Sequence, residues 1–284
     1  MFIIQSMKRI LLLIVAIVGI VLNANAGNNG TAKVLYEPDG HYWSVRLMAY
    51  LVLKDTSMAR QLAYFAEWPD DIRDAQGNHI KNRNTWLLPW RQASWHALTG
   101  CSARKARNTS MRRFKKATTT KKKGIMLHRL GDSFAHAMKR DKCMFPYGIG
   151  HALRGHTPDK ISNFPAKYLV YVDSLCITLG GTPSAVDHSA FKYVAEGKHN
   201  TGTNMEILKS ELYIHSRITD YFIDPNSIDA VTAFLTTRKD AMGFSFTVEK
   251  APVYELEDVK NGKKGDRKSS VARFIGRVKL TFNS

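Results

Sequence analysis

The chain has 284 residues, 44% of them hydrophobic and 10% aromatic, and a formal charge of +18. That composition suits a folded core, while three cysteines without a Cys-x-x-Cys spacing indicate neither a thiolate metal site nor a disulfide framework, leaving room for one pair in an oxidising compartment. The excess positive charge favours polyanionic partners, whether nucleic acid, anionic lipid surfaces or lipopolysaccharide, without choosing among them.

Residues 1–26 are expected to be a secretory signal peptide. Lys8 and Arg9 precede the apolar run Ile10 to Leu22, and Ala24-Asn25-Ala26 supplies the small-x-small pattern before a cut at Gly27. The run is shorter than the ~20 residues that span a bilayer. No later stretch is a candidate span, so the mature chain is expected outside the cytoplasm, secreted or periplasmic. The expected organisation is a helical metal-binding domain over 27–242 and a small β appendage over 243–284.

Behind Pro38, Asp39 and Gly40, residues 41–53 keep apolar side chains at helical spacing, and His41 opens that helix. A second helix is expected over 57–68, capped by Asp55 or Thr56 and stopped by Pro69. Asp70 and Asp71 follow. Two carboxylates at a helix C-terminus oppose its dipole, which a metal or a basic partner would explain; the plainer reading is a pair of solvated loop aspartates. Trp86, Trp90 and Trp95 then lead into His96, readable either as a core histidine or as a metal ligand from a second segment.

Between Arg104 and Lys123 lie ten Lys/Arg and no acid. Such a run repels itself, so a mobile basic flap is expected, with Arg112, Arg113, Lys115, Lys116, Lys121, Lys122 and Lys123 attracting phosphate. Phe114 is the block's only aromatic residue, which does not support base stacking.

The most informative stretch is 125–160, which holds four of the ten histidines. On a helix, His128, Asp132 and His136 recur at i, i+4 and i+8 and share one face. Neutral imidazole and ionised carboxylate are ligands that zinc accepts, and His151 and His156 follow beyond a Gly/Pro loop. Later helices are marked by Pro165, Pro183 and Pro225, by Gly180 and Gly197, and by a capping box over 203–206. His188, His199 and His215 are expected to be structural. Beyond Gly243 the hydrophobic period changes to two, with a turn over 261–265, so the expected fold is mainly α with a small C-terminal antiparallel β-element.

The order His41, Trp-Pro-Asp70-Asp71, Trp95-His96 and His128-Arg-Leu-Gly-Asp132-Ser-Phe-Ala-His136 resembles one superfamily over residues 41–160. It comprises the bacterial zinc-dependent phospholipases C and the single-strand-specific zinc nucleases of fungi and plants, which are all-α phosphoesterases. The resemblance implies Asp70 or Asp71, His96, His128 and Asp132 as ligands, with Asp132 bridging two ions and His136 and His151 holding another. His41 matches the histidine near the family's N-terminus. The family's N-terminal tryptophan ligand has no counterpart, since a cut after Ala26 leaves Gly27. Its last His-x-x-x-Glu/Asp pair is also missing, because Gly155 stands four residues after His151 and His156 and Asp159 occur instead. One to three zinc ions are implied, and these departures favour one or two.

The expected function is that of a secreted zinc-dependent phosphodiester hydrolase, phospholipase C-like or nuclease-like, in which whichever of Asp70 and Asp71 is not a ligand orients the attacking water. Phospholipid and nucleic acid both remain open as substrates, as does a toxin's role. No obligate protein partner is expected. The competing reading is a non-catalytic extracytoplasmic protein that adheres to anionic surfaces by charge.

Overall fold

The structure is a computed structural model that describes residues 38–70, 89–138, 142–146, 157–259 and 267–283. It is mainly helical with a small antiparallel sheet near the C-terminus. A single π-turn, Asp39–Trp43, runs into α1 (Ser44–Leu53). Asp55 caps α2 (Thr56–Glu67), its carboxylate accepting from the Ser57 and Met58 amides at 2.9 and 3.0 Å, a cap worth ~1 kcal/mol. Then come α3 (Pro89–Trp95), α4 (Ala103–Lys116) and α5 (Thr120–Ala135), the last capped by the Thr119 side chain. A short ladder pairs β1 (Ala137–Met138) with β2 (Cys143–Met144). The remaining helices are α6 (Pro165–Leu179), α7 (Ser189–Glu196), α8 (Thr201–His215) and α9 (Ile228–Met242).

The basic block is helix, where a mobile flap was expected. Ala103, Ala106, Ser110 and Phe114 recur every three or four residues and are buried, so α4 has a narrow inward stripe that anchors it while its cations face water. The stripe meets α5 through Arg129, whose buried guanidinium donates to the Ala106 carbonyl at 2.8 Å and to Ser110 Oγ at 2.6 Å. Burial, more than the neighbouring Arg113 charge, lowers the Arg129 pKa to about 10, still far above neutrality.

Strand β3 (Asp220–Ile223) lies within the stretch 27–242 that was expected to be helical. It pairs with the C-terminal hairpin of β4 (Phe244–Val259) and β5 (Arg267–Phe282) in the order β3-β5-β4, all antiparallel. α8 starts at Thr201 with Asn200 as its cap, ahead of the expected capping box. The expected turn over 261–265 lies outside the described residues.

At the centre is α5. Among its residues from Gly124 onward only Met126 escapes burial, because α2, α3, α4 and α6 all pack on it. Phe134, Leu127 and Leu130 join one apolar core with Tyr168 and Tyr171 of α6, Phe234 of α9 and Phe244, Val278 and Leu280 of the sheet. A polar residue on α5 therefore sits inside the protein. Such a group must be paired or ligated.

Candidate metal centre

Three histidines and two aspartates from four segments converge on the inner face of α5. His128 and Asp132 stand one turn apart on the helix, both fully buried. The C-terminal turn of α2 supplies two further groups. Its Ala66 carbonyl accepts the His128 Nδ1 proton at 2.7 Å, which fixes the tautomer and leaves the Nε2 lone pair aimed at the site. The turn beyond Trp68 and Pro69 carries Asp70 inward until its side chain is 4% exposed.

His96 arrives just after α3, where Ala97 turns the chain at φ 54°, a left-handed conformation in a buried non-glycine residue that costs about 1–2 kcal/mol. His41 comes from the π-turn, which is held from several sides. The Asp39 carboxylate accepts the Gly40 amide and the Asn204 side-chain amide, both at 2.8 Å. Ser44 donates to the Asp39 carbonyl at 2.6 Å and accepts from the Tyr168 hydroxyl at 2.7 Å. Opposite His41 the helix carries Gly131. A Cβ there would lie 2.8 Å from His41 Cε1 and 3.0 Å from Nδ1, so only glycine lets the ring pass.

The donor atoms are spaced as ligands of one small cation would be. Bond lengths of ~2.0–2.1 Å in a tetrahedron put donors ~3.3–3.4 Å apart. His96 Nδ1 lies 3.0 Å from His128 Nε2, 3.0 Å from Asp132 Oδ2 and 3.5 Å from Asp70 Oδ1. His128 Nε2 is 3.1 Å from Asp132 Oδ2 and 3.7 Å from Asp70 Oδ1. On the other side of the same carboxylates, His41 Nε2 is 3.2 Å from Asp132 Oδ1 and 3.9 Å from Asp70 Oδ2, with His136 Nδ1 3.9 Å from Asp132 Oδ1. These His/Asp groups could hold a metal ion.

Electrostatics agree with that. Burial lowers the His96 and His128 pKa values, outweighing the pull of Asp132, so both rings are neutral at pH 7. Burial alone would raise Asp132, but the histidines gathered around its carboxylate, His128, His136 and His41, hold it well below the usual carboxylate range. His136 is opposed by burial, yet Asp132 and Asp159 together raise it to about 9. Its Nε2 lies 3.1 Å from Asp159 Oδ1.

The expected residues His41, Asp70, His96, His128 and Asp132 are thus brought together, with His136 at the edge. Asp71, His151 and His156 lie outside the described residues, as does the expected signal peptide. Asp159, buried in the short turn Thr157–Asp159, was seen in the sequence only as a departure from the family pattern. Of the expected cations, Arg112, Arg113, Lys115, Lys116, Lys121 and Lys122 are exposed and Lys123 is half-buried. Lys121 Nζ sits 4.0 Å from the centroid of the Trp68 ring, two residues before Asp70.

A third group of this kind, Asp187, Glu211 and His215, has a cation of its own. Arg238 from α9 donates to both carboxylates and to Ser189 Oγ, tying α7, α8 and α9 together, and His215 Nε2 lies 3.1 Å from Glu211 Oε1.

Compared with family models, curated proteins and solved structures, the chain matches none.

Proposed function

We propose that this protein is an exported, zinc-dependent hydrolase of phosphodiesters. The observation that carries the reading is the set of His96, His128, Asp132 and Asp70 donor atoms, 3.0–3.7 Å apart in the pairs just given, inside a helical core. Nitrogen and carboxylate oxygen without thiolate fit zinc, and histidines neutral at pH 7 bind it without first losing a proton. Asp132 faces two ways, Oδ2 toward His96 and His128 and Oδ1 toward His41 and His136, so the arrangement suits two ions sharing that carboxylate. The order of these residues along the chain, similar to that of the zinc phospholipases C and zinc nucleases, supports the same reading.

When bound, zinc supplies Lewis acidity toward phosphoryl oxygens and acidifies a water for attack. The chain's own residues do the rest. Ala66 orients His128, Gly131 admits His41, and the buried walls exclude bulk water, which strengthens every charge interaction within. With Asp70 among the ligands, water orientation falls to Asp71 in this reading. Export rests on the sequence of residues 1–26; among the described residues no helix is long and apolar enough to cross a membrane.

The test is metal analysis of protein purified without chelator, together with hydrolysis of bis(p-nitrophenyl) phosphate by the native protein and by Asp132→Ala. We expect stoichiometric zinc and measurable turnover in the native protein, and loss of both in the variant with the helical circular dichroism retained. Full activity in Asp132→Ala, or native protein without transition metal, would overturn the proposal. Bound metal without turnover would make the centre structural and favour a non-catalytic protein that binds anionic surfaces.

A further inference from the structure

The sequence contains no acidic residue between Asp74 and Asp132, so α3, α4 and the first three turns of α5 carry positive charge with no acid of their own. Where α4 ends and α5 begins, this charge surrounds a cleft of about 280 Å³. Arg113, Lys116 and Lys122 stand around it, and Trp95, Ile125 and Met126 supply an apolar lining. Cations above an apolar floor match an amphiphile, a phosphate carried on a greasy body. A polyanion that offered only backbone phosphates would have no use for the floor.

The neighbouring aromatic residues point the same way. Arg91 lies over the Trp90 and Trp95 rings, at 5.0 and 5.1 Å, and Lys121 over Trp68, so a ring face of each tryptophan is already covered by a cation of the chain itself. Bases need open aromatic faces to stack on, and these are partly taken. Trp90, whose ring centroid lies 6.3 Å from that of Trp95 in the cleft wall, is 57% exposed. Tryptophan interleaved with Lys and Arg is a side chain that settles at a bilayer's headgroup level.

We infer that the cleft between α4 and α5, with Trp90 beside it, is a docking surface for anionic phospholipid bilayers that seats a lipid phosphate among Arg113, Lys116 and Lys122. Docking needs no metal and no hydrolysis. It would keep the protein on a surface next to the metal centre, since Trp95 in the cleft wall directly precedes His96. Each basic side chain near an anionic bilayer strengthens binding about fivefold, so loss of three should weaken it roughly a hundredfold.

Sedimentation of the full chain with phosphatidylcholine vesicles, with and without phosphatidylglycerol, tests this. Binding should require phosphatidylglycerol and weaken at high salt. The variant Arg113→Gln, Lys116→Gln, Lys122→Gln should bind about a hundredfold more weakly, while Arg104→Gln, Lys105→Gln, Lys192→Gln, with the same charge loss from exposed positions elsewhere, should stay within about tenfold of the native protein. Tryptophan emission should shift to the blue on vesicles, and Trp90→Ala should reduce the shift. Asp132→Ala and chelated protein should dock unchanged, which separates this inference from the hydrolase reading. Equal losses in the two triple variants would reduce the effect to diffuse charge and overturn the inference. So would failure to bind anionic vesicles, or cleft-dependent binding of a single-stranded oligonucleotide in preference to them.

Discussion

Gly131 shows how much a single residue decides here. It lies one position before Asp132 with the His41 ring against its α-carbon, and a methyl group in that place would come within 2.8 Å of the ring. The helix cannot yield, because Asp132 and His128 are fixed on the same turns. His41 would yield instead, and with it the second half of the centre. Gly131→Ala should therefore weaken zinc binding by roughly 10–100-fold, as lost ligand orientation typically does, with only a small change in melting temperature. Titration against a chromogenic chelator checks it, and unchanged affinity would mean that His41 is no ligand. In the sequence His128, Asp132 and His136 were legible because i, i+4 spacing is a local property. His41 and His96 could be placed with them only by the order of residues that a family shares. Asp159 carried no such signal, since its pairing with His136 depends on a turn that no periodicity announces.

Among the elements, α2 and α5 make the decisive contact. The α5 backbone comes so close at Gly124 that an added Cβ would sit 2.3 Å from Phe65 Cβ and 2.8 Å from the Phe65 carbonyl carbon. That closeness brings the end of α2 to the site, where Ala66 holds His128 and Asp70 completes the donor set. Gly124→Ala should force the helices apart, destabilising the fold by about 1–3 kcal/mol and lowering metal affinity as well. Chemical denaturation and metal titration of one preparation would show it, and loss of affinity at unchanged stability would contradict the account. This double effect distinguishes Gly124 from Gly131. α4 marks the limit of sequence reading at this scale. The block of ten cations that it opens resembled a repelling, solvated flap, yet four small or apolar residues at helical spacing and one buried arginine were enough to fix it. Charge density reports what an element shows to water and says little about what it buries.

Over the whole molecule, the change of hydrophobic period at Gly243 announced the β-hairpin, while β3 was hidden in a short segment that gains its partner only when β5 folds beside it. The candidate metal centre lies at the other extreme of scale: it is small, but it occupies the interior around which the helices pack. Without an ion, the carboxylates of Asp70 and Asp132 remain beside three histidines in the core, and burial penalises every charge they keep. An ion bound only by the folded state adds RT ln(1 + [L]/Kd), which is ~4 kcal/mol at a thousandfold excess over Kd. For a domain of this size each kcal/mol moves the melting temperature by ~2–4 °C, so removing the metal should lower it by on the order of 10 °C. Zinc should restore the difference, whereas magnesium, which prefers six oxygen ligands, should not. In Asp132→Ala the chelator should no longer shift the melting point. A self-sufficient His/Asp hydrogen-bond network predicts a different pattern, with no response to chelator in the native protein and destabilisation by Asp132→Ala alone. Differential scanning calorimetry of the two proteins, with and without chelator, decides between them.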